Sequence, residues 1–221
     1  MTRADFDQIY WIGGSPCAGK STIAQTLADR YNLHYYQCDS WFETHQQRAQ
    51  PDQQPFLSQL AGLSCDQLWL PPVAEQVTRV QAIYTEEFAM ILADLLALPR
   101  TRPILAEGAA LLPTCVWRHL ADRRRAIWLT PTPAFQRFHY AQRPWIHDVV
   151  RTCSDPAQAF ANWMARDEAF ARWVNQQAMA LGFQVLVVDG NRSLAENQTI
   201  VADWFGLGIR ETTTKINSQR R

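Results

Sequence analysis

Along this chain, short runs that are apolar at nearly every position alternate with longer stretches in which apolar residues return every three or four positions. The first pattern predicts strands buried on both faces, and the second predicts amphipathic helices. Gln8-Ile9-Tyr10-Trp11-Ile12 is the first strand-like run and Leu33-His34-Tyr35-Tyr36-Gln37-Cys38 the second. Pro103-Ile104-Leu105-Ala106, Ala126-Ile127-Trp128-Leu129 and Phe183-Gln184-Val185-Leu186-Val187-Val188 bring the predicted strands to five. Between the first two, Ile23, Leu27 and Tyr31 keep helical spacing up to Asn32, a plausible helix stop. The longest stripe runs from Gln76 to Leu98 through Val80, Tyr84, Phe88, Ile91 and Leu95, and Pro99 ends it. Two more helical patterns cover roughly 134–151 and, with Ser154 or Asp155 as cap and Pro156 in the first turn, 156–180. Gly182 ends the second of these, and a last helix is expected from Ser193 to Phe205.

Helices that alternate with strands, and strands with no polar face, predict an α/β three-layer sandwich with a five-stranded parallel sheet. Ligands of such sheets collect at the carboxyl ends of the strands, where strand order reverses. Polar chemistry sits at four predicted strand ends: Gly14 to Ser21, Asp39, Glu107 and Asp189. With 221 residues, 47% of them hydrophobic, the chain is expected to build one domain over 1–207. Residues 43–72, rich in glutamine and proline, lack sustained periodicity, yet Phe56, Leu57, Leu60, Leu68 and Trp69 supply apolar surface. That segment is expected to be an ordered, irregular insertion over the mouth of the site. A lid is expected at about 131–155, and 208–221 reads as a polar tail.

The most specific signal lies behind the first strand, in Gly14-Ser15-Pro16-Cys17-Ala18-Gly19-Lys20-Ser21-Thr22, which fits G-x-x-x-x-G-K-[ST]. Glycines let successive backbone N–H groups turn inward onto phosphate oxygens, which residues with Cβ atoms would resist. A compact ammonium at Lys20 reaches between terminal phosphates where a planar guanidinium would not fit. The Ser21 hydroxyl suits a Mg²⁺ ion, and the helix opening at Gly19 adds its positive end. Strand, loop and helix occur in the order that this chemistry requires.

Charge and cysteines narrow the partners. With 21 basic and 21 acidic residues the formal net charge is zero, which argues against nucleic acid or an anionic membrane as partner. Arg123-Arg124-Arg125, the one local basic cluster, reads as a solvated entry to a strand. Cys17, Cys38, Cys65, Cys115 and Cys153 form no C-x-x-C pair, so free thiols in a reducing cytoplasm are expected. Inside the loop, Cys17 is expected to have a lowered pKa. No apolar run approaches membrane-spanning length.

Three segments carry a family likeness: Gly13 to Thr22, Gln37-Cys38-Asp39-Ser40-Trp41-Phe42, and Ile104-Leu105-Ala106-Glu107-Gly108-Ala109-Ala110-Leu111-Leu112. On these the chain resembles the P-loop small-molecule kinases, in particular uridine kinase and its relatives. The resemblance covers the first half of the chain in sequence and the second half in architecture alone. It implies a P-loop NTPase fold of kinase type, ATP as donor, Mg²⁺, and a small-molecule phosphate acceptor such as a nucleoside. Asp39 would accept the proton of the attacking hydroxyl, or else cap the following turn. Glu107 would hold a Mg²⁺ water or the substrate, or else be a buried carboxylate paired with an arginine. Lid cations would come from Arg137 and Arg143, with Arg166 a third candidate, or these are surface arginines. Asp189 and Asn191 would lie beside adenine, or merely end the fifth strand. Asp167 reads equally as an internal partner of Arg166. A nucleoside monophosphate kinase, an antibiotic- or toxin-type phosphotransferase and a non-catalytic ATP-binding regulator are the competing readings. A guanine-specific switch is excluded by the lack of any Asn-Lys pair.

Overall fold

The computed structural model describes residues 3–209, so the expected tail lies, from residue 210 on, outside the described residues. Strand β1 (Ile9–Gly14) leads into helix α1 (Lys20–Tyr31) and then β2 (His34–Gln37). Three short helices follow, α2 (Phe42–Arg48), α3 (Pro55–Gln59) and α4 (Cys65–Trp69), before the long α5 (Val73–Ala97) and β3 (Ile104–Glu107). The second half contains α6 (Pro113–Val116), β4 (Ala126–Pro131), α7 (Pro133–Ala141), α8 (Ile146–Val150), α9 (Pro156–Ala180), β5 (Gln184–Val188) and α10 (Leu194–Trp204).

All five strands are parallel, in the order β2-β3-β1-β4-β5, with Trp11 opposite Ala106 and Gly13 opposite Trp128. Because side chains alternate along a strand, the sheet is apolar on both sides. Trp11, Ala106 and Trp128 pack with Phe88, Ile91 and Phe170 of α5 and α9 on one face. Ile12, Leu105, Ile127 and Leu129 pack with Ile23 and Leu27 of α1 and Val201 of α10 on the other. Trp11 and Trp128 are fully enclosed, and each such burial is worth on the order of 1.5–3 kcal/mol. The α/β architecture with a five-stranded parallel sheet is therefore as the pattern of apolar runs predicts.

The chain leaves β1 in one direction, passing β3 to reach β2, and leaves β3 in the other, passing β1 to reach β4. Strand order thus reverses between β1 and β3, and a crevice opens at their carboxyl ends. Gly14 and Glu107 are the last residues of those two strands.

Three expectations need correction. The helical pattern over 134–151 is two helices, because Pro144 disfavours helical geometry at Arg143, and α7 stops at Ala141. The insertion is more regular than its composition suggests. Pro55 opens α3, and Ser64 with Gln67 forms a reciprocal capping box that starts α4. The cysteines are not all free: Cys65 and Cys153 form a disulfide across 88 positions, while Cys17, Cys38 and Cys115 remain thiols. Spacing could not reveal that pair, since proximity of the two comes only from tertiary packing. Around it, Ile146, Val150, Cys153, Trp163 and Met164 form a third apolar cluster. Among the described residues, no helix is long and apolar enough to cross a membrane.

Candidate active site

The loop between β1 and α1 owes its path to backbone geometry. Gly14 has φ 131°, and a Cβ there would lie 1.9 Å from the Leu129 carbonyl oxygen, which instead accepts the Ser15 N–H at 3.1 Å. Cys17 and Gly19 both take left-handed conformations, φ 66° and 74°. For Cys17 this costs on the order of 1 kcal/mol, a strain that recurs where a loop is shaped around a ligand. Gly19 caps α1 without any side-chain hydrogen bond, so the first N–H groups of that 12-residue helix have no side-chain cap to spend themselves on.

Lys20 folds back across this loop. Its Nζ donates to the Ser15 carbonyl at 2.9 Å and stands 3.8 Å from Glu107 Oε1. Both partners are buried, Glu107 to 1% exposure. The other carboxylate oxygen accepts from the Tyr35 hydroxyl at 3.1 Å. Burial pushes the Glu107 carboxyl above its ordinary pKa; Lys20, Tyr35 and Ser21 oppose that shift and Asp39 adds to it. Glu107 is thus a buried carboxylate paired with a lysine, not with an arginine.

A cavity of about 760 Å³ opens from loop residues 16–22 toward the insertion, walled by α2, α4 and α5. Asp39, in the short turn after β2, is exposed and faces this cavity. It does not cap α2, whose cap residue is Trp41 with no side-chain bond. Arg143 and Arg166 also line the cavity, whereas Arg137 lies outside it, 65% exposed and 3.3 Å from Glu168. The Arg143 guanidinium sits over Tyr140 and Trp145. Arg166 stacks on Trp69 and gives Nε and a terminal nitrogen to Asp167 Oδ1 at 2.8 and 2.5 Å. Asp167 Oδ2 accepts from Tyr140 and Trp163, at 2.8 and 3.1 Å, so this buried carboxylate is filled and fixes the guanidinium.

Asp189 and Asn191 lie outside the cavity, in an exposed turn where Asn191 donates twice to Asp189, from its backbone N–H at 3.0 Å and its amide at 2.7 Å. The turn still adjoins the loop: a Cβ on Gly19 would come 3.4 Å from Leu194. Cys17 departs from expectation, because burial raises its thiol pKa and outweighs the lowering by Arg143 and Lys20. Its side chain packs on the third apolar cluster.

Sequence reasoning missed Tyr35, Gln76 and Tyr84 as site residues, and Trp69 and Arg79 join the latter two on the cavity wall. Two of these tie α4 down. Arg79 donates to the Gln67 carbonyl at 2.8 Å and to that of Leu68, and Gln76 Nε2 donates to those of Trp69 and Pro71, each at 2.9 Å. Asn162 adds a bond to Trp69 at 2.9 Å, and Ser154 N–H one to Asp66 at 2.7 Å. Gln76 carried a readable signal, a polar residue in register with Val80, Ile83 and Tyr84 on an otherwise apolar stripe. Tyr84 and Trp69 carried none, because an aromatic at helical spacing is indistinguishable from core.

No protein-family model and no curated protein matches this chain. Among solved structures it is similar to the crystal structure of a putative kinase from Chloroflexus aurantiacus, at 14% identity over 91% of this chain and 98% of that one, with a TM-score of 0.37. At that score the likeness carries no argument about function.

Proposed function

We propose that the protein is a P-loop phosphotransferase that moves the γ-phosphoryl group of Mg-ATP to a hydroxyl of a small molecule. The observation that carries this reading is the meeting, at the strand-order reversal, of a G-x-x-x-x-G-K-S loop with Lys20 held against Glu107, and with Asp39 on the same cavity. The fit to a triphosphate rests on the two left-handed residues of the loop and the uncapped start of α1, which together offer inward N–H donors. Ser21 and Glu107 would hold Mg²⁺, whose charge neutralises that building on the phosphoryl oxygens. Among the described residues no group of three or more His, Cys, Asp or Glu could enclose a metal. An ion held by two side chains would complete its shell with phosphate oxygens and water.

Asp39 accepts the proton of the acceptor hydroxyl as its oxygen bonds to the γ-phosphorus. The bond from that phosphorus to the β–γ bridging oxygen breaks, and ADP leaves with the bridging electrons. Lys20 meets the charge on the transferring group, and Arg143, whose guanidinium is committed only to aromatic faces, reaches it from the other side. Little covalent work falls to the protein; alignment and neutralisation suffice. The test is Mg-dependent binding of a fluorescent ATP analogue followed by acceptor-dependent ADP release. Lack of any binding would overturn the proposal.

A further inference from the structure

We infer that the phosphoryl acceptor is an uncharged, largely apolar alcohol that carries a second hydrogen-bond donor, and that Gln76 Oε1 reads that donor. This rests on the phosphotransferase reading and adds the chemistry of the acceptor.

Away from loop residues 16–22, the cavity wall is made chiefly of Phe42, Leu68, Trp69, Val80, Ile83 and Tyr84. At about 760 Å³ the space is in the range that encloses a drug-sized molecule. A polyol in such a chamber would lose water from every hydroxyl and recover few partners. An anionic acceptor fits no better, since the wall's cations are already engaged. Arg79 spends both terminal nitrogens on the carbonyls of Gln67 and Leu68. Arg166 is held by Asp167, and Lys20 is given over to the donor's phosphoryl group. The Arg143 guanidinium alone of these has no ion pair or hydrogen bond to a described residue, and it stands by Cys17 of the loop, at the phosphoryl end. This weighs against a nucleoside monophosphate.

Gln76 supplies the positive evidence. It lines the cavity, is 1% exposed, and its Oε1 has no hydrogen-bond partner. Which end of the amide is the oxygen follows from the network, because two carbonyls, of Trp69 and Pro71, lie 2.9 Å from the other end and only an NH₂ can serve both. The amide is therefore locked with its acceptor unspent. Buried acceptors normally have partners, and a ligand hydroxyl or N–H would provide this one. With Asp39 taking the reactive hydroxyl, the chamber asks its guest for two donors on an apolar body.

The experiment first measures Mg-ATP binding, then ADP release with a naphthyl-propanediol, with the naphthyl-propanol that lacks the inner hydroxyl, and with glucose, uridine and uridine monophosphate. The diol is expected to give the highest kcat/KM, about 10-fold or more above the mono-alcohol, because a site built around a donor rejects an analogue without it. In Gln76→Met that ratio should fall toward one. Should the variant fail to fold, the wild-type ratio bears the test, and a ratio near one overturns the inference. Mg-ATP binding with turnover of glucose, uridine or the monophosphate in preference to the naphthyl alcohols, or with no turnover of those alcohols, overturns the acceptor class and leaves phosphotransfer standing. No Mg-ATP binding overturns both.

Discussion

At the sheet end of the cavity, Lys20, Ser21 and Glu107 are positioned by what the backbone does: a strand stops, two residues go left-handed and a helix begins. At the opposite end, α4 is only five residues long and is held by what side chains do to it. Arg79, Gln76 and Asn162 reach from α5 and α9 to carbonyls at its carboxyl end, Ser154 bonds Asp66, and Cys65 is joined to Cys153. In the first arrangement the loop is local in sequence, and Glu107 is brought to it by the pairing of β3 with β1. The second is assembled from positions as far apart as 65 and 153, and many other residues could have served. Chemistry common to all phosphoryl transfers fits the first kind of construction, and selection of a particular guest fits the second.

Substitutions at each end can break this division. The largest effect is expected at the sheet end: Lys20→Ala should lower ADP release by about 10³-fold or more, as loss of a preorganised charge does at other sites. Retention of full activity would remove the loop from the mechanism. At the other end, Cys65→Ser should reduce unfolding free energy by about 2–4 kcal/mol in urea titrations under non-reducing conditions. Mg-ATP affinity in that variant should stay within about 2-fold, since a site shaped by local backbone geometry does not depend on α4. A parallel loss of nucleotide binding would show that the two ends are one unit.

Asp39→Asn should reduce kcat by about 10²-fold with nucleotide affinity preserved. The smallest effect concerns pH and belongs to α2. His45 is fully buried, with Nδ1 3.0 Å from Glu87 and Nε2 2.9 Å from Asp94. Burial opposes its charge, but the two carboxylates together hold its pKa above the ordinary value. The resulting stabilisation is complete below about pH 6.5, the unfolded value, and is lost as pH rises through the folded pKa. Burial also raises the Glu87 carboxyl, which acts in the same sense at lower pH. Thermal stability should therefore decline from about pH 6.5 upward, with a shallower slope in His45→Gln. A wild-type profile that is flat or rising would contradict the raised pKa of His45.

How much of this was readable follows the same line. Five apolar runs located five strands within a residue or two, most directly β1, β3 and β4, where burial at every position leaves no choice of composition. The glycine positions around Lys20 were readable because few sequences can take that path. Arg137 and Arg143, six positions apart, looked alike in sequence, and only the turn after α7 sends Arg143 inward while Arg137 meets Glu168 at the surface. The α7–α8 break was available in Pro144, which was overlooked beside a strong apolar repeat. Of the ties on α4 only Gln76 showed in the sequence, as a polar break in an apolar stripe, since a side chain that donates to a distant carbonyl imposes no pattern on its own neighbours.

The covalent link between Cys65 and Cys153 also makes the middle of the molecule a closed ring, which holds α5, β3, β4, α7 and α8. Pulled from its two ends, an oxidised molecule would unravel from outside that ring and then stop. At roughly 3.4 Å per extended residue, the 88 positions held back would leave it about 300 Å short of its reduced length. The two strands that flank β1 and carry Glu107 and Leu129 lie inside the ring, while β1 and its loop lie outside. Mechanical failure would therefore strip the loop after β1 away and leave the ring's own segment looped.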